Sequence, residues 1–451
     1  MSGLGRKVPP LRVRLFGTGW VHLQTHPATM PRSLVEKLRS KPTLARAWRV
    51  ILANARASQS TETRREVEDF ALNADAHLDR IQRQLNLTKF KFLPARGVVI
   101  PKRDRTSVRP IVVAPIDSRI VQRAVHDVLL SVPAISALSN NPFSFGGVTK
   151  HKDTQLGAVP AAIRAVLSAI EGGAKFVVRS DVTSFFARIP KLEILAIVER
   201  AVSERAFLRI FEQAITVELA NLASLGARAS EFPLQNIGVA QGSSLSPLLG
   251  NILLFDFDRQ MNSGDVRCIR YIDDFVILAK SPESAERAFS YACRLLKQHG
   301  LSTSTNKTFK GFIANRFEFL GIEIGNGYIT PSRASRKKLL DRIRSGLDTT
   351  VEDFRTVATG VNTNSPFSLL QTLVDISGAV KGWGHHYSFC NNRQVFSNLD
   401  TEIDQLLREY FAKYSTARKT SDSKASRRLL GIPLLNDLAP SPFQWPKRAK
   451  H

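Results

Sequence analysis

Three aspartates carry the chemistry that this sequence could perform. Asp181 closes the run Lys175-Phe176-Val177-Val178-Arg179-Ser180, whose apolar, β-branched middle predicts a strand ending on the acid. Asp273 follows 92 positions later, and the pair Asp273-Asp274 stands between the β-rich runs Arg267 to Arg270 and Phe275 to Ala279, which predicts a hairpin with acids at its tip. Carboxylates on rigid strand ends are the oxygen ligands that Mg²⁺ prefers. Nucleotidyl transfer uses two such ions about 3.5 to 4 Å apart, one activating the attacking oxygen and one stabilising the leaving pyrophosphate. Asp181 and Asp273 can cooperate only if their strands are neighbours in one sheet. An Asp-Asp pair alone is most often an ordinary turn, so the reading depends on the residues around it.

The elements that must position these acids can be read along the chain. Ser33-Leu34-Val35-Glu36 has the form of a capping box and opens a basic helix to about Ala57, interrupted near Pro42. Arg64 to Leu87 repeats apolar residues at helical spacing. Gly97 to Ile100 and Ile111 to Val113 read as a hairpin across the polar turn Asp104 to Ser107, and Arg119 to Leu130 returns to helix. A further helix is expected from Pro190. From Ser332 to Leu407 the pattern is helical, and the Ser/Thr/Lys/Arg-rich stretch Ser415 to Arg428 reads as a mobile linker.

Composition narrows the class. The 451 residues are 43% hydrophobic and 23% charged, as in soluble globular proteins, and the net charge is +25 with a pI of about 10.4. That is the footprint of a polyanion binder, with nucleic acid as the default partner. Residues 1–110 carry 22 basic and 8 acidic groups, residues 111–330 carry 23 and 20, and residues 331–451 carry 19 and 11. A near-neutral centre between basic ends suits a carboxylate site flanked by phosphate-gripping surfaces. Cys268, Cys293 and Cys390 are too widely spaced for a zinc knuckle or redox pair. No apolar run reaches the roughly 20 residues of a membrane span, and the basic start with Arg6, Lys7, Arg12 and Arg14 lacks a signal peptide's apolar region, so a cytoplasmic protein is expected.

The order of motifs resembles the reverse transcriptases of bacterial retroelements, especially group II intron proteins and retron enzymes, from about Gly97 to about Phe396. Ile100-Pro101-Lys102 followed by Arg109-Pro110-Ile111 resembles the fingers motif, and the resemblance assigns Lys102 and Arg109 to the phosphates of the incoming nucleotide. Arg119-Ile120-Val121-Gln122 and Phe143-Ser144-Phe145-Gly146 continue the match toward the template. Asp181-Val182-Thr183-Ser184-Phe185-Phe186 is similar to the first palm motif. It implies metal binding by Asp181 and the Val182 carbonyl, and a steric gate against the 2′-hydroxyl at Phe186. Gln241-Gly242-Ser243-Ser244-Leu245-Ser246-Pro247-Leu248-Leu249 resembles the second palm motif, where a glycine lets backbone approach the nucleotide. Tyr271-Ile272-Asp273-Asp274 is the third, with Asp273 and Asp274 implied as further metal ligands. Leu301 to Lys307 resembles the segment whose lysine protonates pyrophosphate, Phe319-Leu320-Gly321 the primer grip, and Gly382 to Tyr387 a thumb element. Ala187, Ala240 and Gly147 to Lys150 depart from the family pattern, which bears on template preference more than on chemistry.

The resemblance implies an α+β right-hand polymerase: a basic helical extension over 1–60, fingers over 61–180, a palm over 181–330, an α-helical thumb over 331–414 and a basic tail over 415–451. The implied activity is RNA-directed DNA synthesis with two Mg²⁺ ions, or Mn²⁺ in their place, acting on RNA template, DNA primer and dNTPs. RNA would be held by A-form shape. A dedicated non-coding RNA and oligomerisation stay open. No Cys/His-rich endonuclease follows the thumb region, which favours a retron-like or antiphage role over intron homing. Two alternatives share the motifs: an RNA-binding maturase or ribonucleoprotein subunit, and a template-independent or self-primed DNA polymerase.

Overall fold

The computed structural model describes residues 33–58, 60–101, 108–147, 156–359 and 368–437. Lys102, with residues 103–107, 148–155 and the segment Pro440 to Trp445, lies outside them.

The architecture is α+β. Strands β1 (Arg96–Pro101) and β2 (Val108–Val113) form the expected antiparallel hairpin. A central sheet has the order β4-β5-β3-β6, from β3 (Phe176–Asp181), β4 (Arg267–Tyr271), β5 (Asp274–Ala279) and β6 (Phe309–Phe312), all antiparallel. A small sheet follows from β7 (Phe317–Phe319), β8 (Ile322–Gly325) and β9 (Tyr328–Pro331). Successive side chains of a strand face opposite sides, and both sides of the central sheet are covered. Val178, Cys268, Phe275 and Ile277 join one core with helix Pro282–Gln298, while Val177, Ile269, Val276 and Leu278 join another with helix Ala158–Glu171 and the small sheet. Strands buried on both faces cannot alternate polar and apolar residues, which is why β5 reads as an unbroken apolar run.

The amino-terminal region is helical as expected. The Ser33 capping box opens helix Leu34–Leu38, and helix Lys41–Arg56 carries Pro42 in its first turn, where a missing N–H costs nothing. The single helix expected over Arg64 to Leu87 is two, Thr61–Ala71 and Ala74–Asn86, parted at Leu72-Asn73. Helix Lys41–Arg56 buries Leu44, Ala47, Trp48 and Ile51 in the core that also takes Ile120, Val121 and Ala124 of helix Ile116–Leu129.

Helices Arg333–Thr359, Leu369–Tyr387 and Arg393–Lys419 pack around Leu339, Ile343, Phe354, Ile403 and Tyr410. The linker expected over Ser415 to Arg428 is instead ordered helix. Residues to Lys419 complete the preceding helix, and Asp422 caps a new one, Ser423–Leu430, by accepting from the Ala425 N–H at 2.6 Å. Its Leu429 is fully buried in the same core. Polar composition misleads here because two buried residues four apart, Ala425 and Leu429, give the helix an apolar face. Among the described residues no helix is long and apolar enough to cross a membrane.

Candidate active site

Strand register brings the distant acids together. In the β3–β5 pair Asp181 lies opposite Asp274, and the same parity that puts Val177, Val276 and Leu278 on one face puts Asp181 and Asp274 on that face at the sheet's open end. The Val182 N–H donates to the Asp273 carbonyl at 3.0 Å, which ties the end of β3 to the turn between β4 and β5. Tyr271 pairs with Asp274, so Ile272 and Asp273 form a two-residue loop. Ile272 takes φ +62°, a region that a β-branched residue enters at a cost of about 1–3 kcal/mol. The fold sustains that strain at the one place where two acids must be aimed.

The electrostatics are those of crowded carboxylates. Asp274 is pushed up to about 6, first by the protein that strips water from around it and then by Asp273 and Asp181. Its outer edge is nevertheless exposed in the cleft. Asp273 is raised for the same first reason and by Asp181, against the opposing pull of Lys307 and Arg109. A group raised in the fold stabilises it below its ordinary value of 3.8 and loses that contribution as pH rises through the folded value of about 6. Asp274→Asn should therefore melt higher than wild type by a margin that grows between those two pH values and levels off above pH ~7. Millimolar Mg²⁺ should narrow the margin; calorimetric scans from pH 4 to 8 measure both.

Lys307, on the short 3₁₀ turn Thr305–Lys307, donates to Asp181 Oδ2 at 2.7 Å, and this partner raises its pKa. The segment reaches Asp181 because Thr183 N–H donates to Ser302 O at 2.8 Å and Ser304 N–H donates to Asp181 O at 3.0 Å. The other oxygen, Asp181 Oδ1, is buried with no hydrogen-bond partner. An orphaned carboxylate oxygen beside two charge-crowded acids fits a divalent cation, whose charge would relieve both. No three His, Cys, Asp or Glu side chains among the described residues yet close on a common point that could hold a metal. Asp181, Asp273 and Asp274 are the residues placed to do so once Lys307 yields.

Beside the acids lies a cleft of about 490 Å³, a volume ordinary for ligand sites, lined by Phe186, Gln241, Gly242, Ser243 and Ile272. Phe185 and Phe186 lie on a short helix. Ser184 turns left-handed (φ +50°) into the one-turn helix Phe185–Arg188, which still buries Phe185 and leaves Phe186 facing the cleft. Helix Ser246–Leu253 comes close over Phe185 because Gly250 has no Cβ: one added there would lie 2.7 Å from that ring. Gln241 is stitched to the β1–β2 hairpin, its carbonyl accepting from Val112 N–H at 2.9 Å, and Gly242 adopts φ +112° with its missing Cβ 3.1 Å from the Val112 carbonyl. Arg109, two residues before Ile111 on β2, is exposed and felt electrostatically by Asp273. Phe186→Val should admit ribonucleotides, lowering discrimination in their disfavour by about 10-fold or more, read as the ratio of dNTP to rNTP incorporation efficiencies.

The expected primer grip is divided. Phe319 is core, 1% exposed, and only Leu320 and Gly321 form the hairpin tip, with φ +52° and +77°. The tip is fastened by Ser332 N–H donating to Gly321 O at 2.8 Å, and Tyr387 Oη donates at 3.0 Å to Ser335, which touches the same carbonyl. Trp383 packs tilted against Tyr387 and edge-on to Phe396.

Sequence reasoning missed the cleft's far wall, Ile51, Asn54 and Ala55 of helix Lys41–Arg56. Nothing local marks them, since they arrive through long-range packing. It also passed over Arg270, although a charge between Ile269 and Tyr271 in a doubly covered strand was a usable signal.

Helices on both faces of an antiparallel sheet, with acids at its open end, define the palm of a right-hand polymerase. The model of the family "Reverse transcriptase (RNA-dependent DNA polymerase)" matches residues 100–324, and over that segment the chain belongs to the reverse transcriptase family. Protein YkfC of Escherichia coli is 27% identical over 268 residues, 51% of this chain and 66% of YkfC. An uncharacterized 91 kDa protein in the cob intron of Schizosaccharomyces pombe is 24% identical over 184 residues, 40% of this chain and 20% of that protein. The chain thus spans just under two thirds of the first relative and a fifth of the second. Among solved structures, apo telomerase from Candida tropicalis aligns at 14% identity and TM-score 0.41 over 76% of this chain and 66% of that one. A partial Cas6-RT-Cas1–Cas2 complex aligns at 20% identity and TM-score 0.33 over 59% of this chain and 42% of that one.

Proposed function

We propose that this protein is an RNA-directed DNA polymerase that extends a primer with dNTPs. The observation that carries the reading is the register that sets Asp181 opposite Asp274, beside a cleft lined by Phe186. Asp181, Asp273 and Asp274, with the Val182 carbonyl, would hold two Mg²⁺ or Mn²⁺ ions, which when bound activate the primer 3′-oxygen and neutralise the leaving pyrophosphate. The chain's own residues do the rest. Arg109 and Lys102 grip the triphosphate, Gln241 and Gly242 seat the nucleotide through close backbone approach, and Phe186 packs under a sugar that lacks the 2′-hydroxyl. Leu320 and Gly321 hold the primer end, and Lys307 delivers the proton to pyrophosphate. The strongly basic ends suit template and product duplexes bound through phosphate and shape. A retron-like element or antiphage defence is the setting this activity fits.

Extension of a labelled primer on RNA with Mg²⁺ and dNTPs tests the reading. Template-complementary DNA supports it. Product without template or primer would replace it by an untemplated or self-primed polymerase, and salt-sensitive RNA binding with no product would replace it by the maturase-like role that the match to intron proteins favours.

A further inference from the structure

Arg270 is the largest fully buried side chain among the described residues, at 0% exposure one residue before the end of β4. Its Nε and Nη2 fork onto Asp258 of helix Phe255–Met261, at 2.8 and 2.5 Å, and Asp258 is itself wholly buried. Its third nitrogen, Nη1, donates to the carbonyl of Ile272 at 2.8 Å and to Asn251 Oδ1 at 3.2 Å. Ile272 is the strained residue of the carboxylate turn.

The network continues on the other side. Asn251 Nδ2 donates to the Gly146 carbonyl at 2.9 Å, its Oδ1 accepts from Ser144 Oγ at 3.0 Å, and Asn141 Nδ2 donates to Asp258 Oδ2 at 2.8 Å. Phe143 to Phe145 run beside β4, with Phe145 N–H donating to Arg270 O and Arg270 N–H to Phe143 O, both at 2.9 Å. Gly146 then abuts the turn so closely that a Cβ would lie 2.8 Å from the Ile272 nitrogen. One guanidinium therefore ties together the acid turn, the segment Asn141 to Gly146, and the helix Ser246–Leu253 that follows Gln241 and Gly242.

A buried ion pair rarely stabilises a fold more than apolar residues of the same volume would, because desolvation offsets the attraction. What apolar residues cannot do is hold a carbonyl in a fixed direction. Only arginine presents a planar fork and a further donor at once; lysine offers a single point charge. We propose that Arg270 is a positioning residue: through the Ile272 carbonyl it holds the turn in its left-handed geometry and so aims Asp273 and Asp274. Asp258 serves to orient and neutralise it. The inference rests on the polymerase reading of that turn.

The test compares wild type, Arg270→Lys and the paired Arg270→Met/Asp258→Leu variant, which removes both charges and keeps volume. Primer extension gives kcat, dNTP KM and half-saturating Mg²⁺; melting and primer–template affinity report the fold. Arg270→Lys is expected to lose kcat by about 10- to 100-fold and to need several-fold more Mg²⁺, with KM and primer–template affinity within about twofold. The paired variant should melt cooperatively and stay slow, and it decides the matter if the lysine variant does not fold. Wild-type kcat and Mg²⁺ dependence in a folded paired variant would overturn the proposal, as would a rate loss equal to the unfolded fraction. If wild type makes no product at all, the polymerase reading has failed instead. Mn²⁺ binding followed by electron paramagnetic resonance then decides, weaker binding in the paired variant supporting the positioning role and unchanged binding overturning it.

Discussion

Asp273→Ala is expected to lower primer extension by about 10³-fold or more, since a missing ligand removes several kcal/mol of charge stabilisation where it develops. The loss should fall on kcat, with dNTP KM and primer–template affinity close to wild type, because the cleft wall is built without this side chain. Melting temperature should hold or rise. Asp273 is raised by burial and by Asp181, so its removal relieves repulsion in the metal-free protein. Single-turnover extension together with melting curves checks this. A variant that keeps even a tenth of the wild-type rate would remove Asp273 from the chemistry.

Lys307→Ala is expected to lower kcat by about 10²-fold, the lower end of what a positioned proton donor contributes. Lys307→Arg separates its two tasks. Arginine can still pair with Asp181, but it holds its proton at every accessible pH, so a proton-delivery role predicts that Lys307→Arg is nearly as slow as Lys307→Ala. A tethering role predicts that it is nearly wild type. Asp181 raises the Lys307 pKa, and a cation bound at Asp181 would take away part of that pull, making the ammonium a better acid only in the loaded site. Rate profiles from pH 7 to 10 for the three forms read the difference. Stability should scarcely change, because the Lys307 side chain is 67% exposed and exposed ion pairs contribute little.

Much of the site was legible because its signals are short-range. The strand before Asp181, the tight turn at Ile272-Asp273 and the glycine at 242 each follow from residues within a few positions, and the register then follows from two apolar runs of equal length. What stayed hidden depends on distance. Phe319 occurs in a motif read as primer-facing, yet its position on β7 turns it into the core, and only the sheet beneath it says so. The helix Ser423–Leu430 looked like a linker because serines, lysine and arginines outnumber its apolar residues, while its fate was decided by Leu429 joining the core of the three preceding helices. Asn54 reaches the cleft across nearly 190 positions from Gln241, and no pattern within its own helix encodes that meeting.

The helix Lys41–Arg56 has a consequence for how the chain is made. It leaves the ribosome well before helix Ile116–Leu129, against which it buries Trp48 and Ile51, so for an interval its apolar stripe has no native cover. The β1–β2 hairpin must be synthesised before the two helices can meet. The wall that completes the cleft is therefore synthesised before the helix that covers its apolar side, and it must wait for that partner.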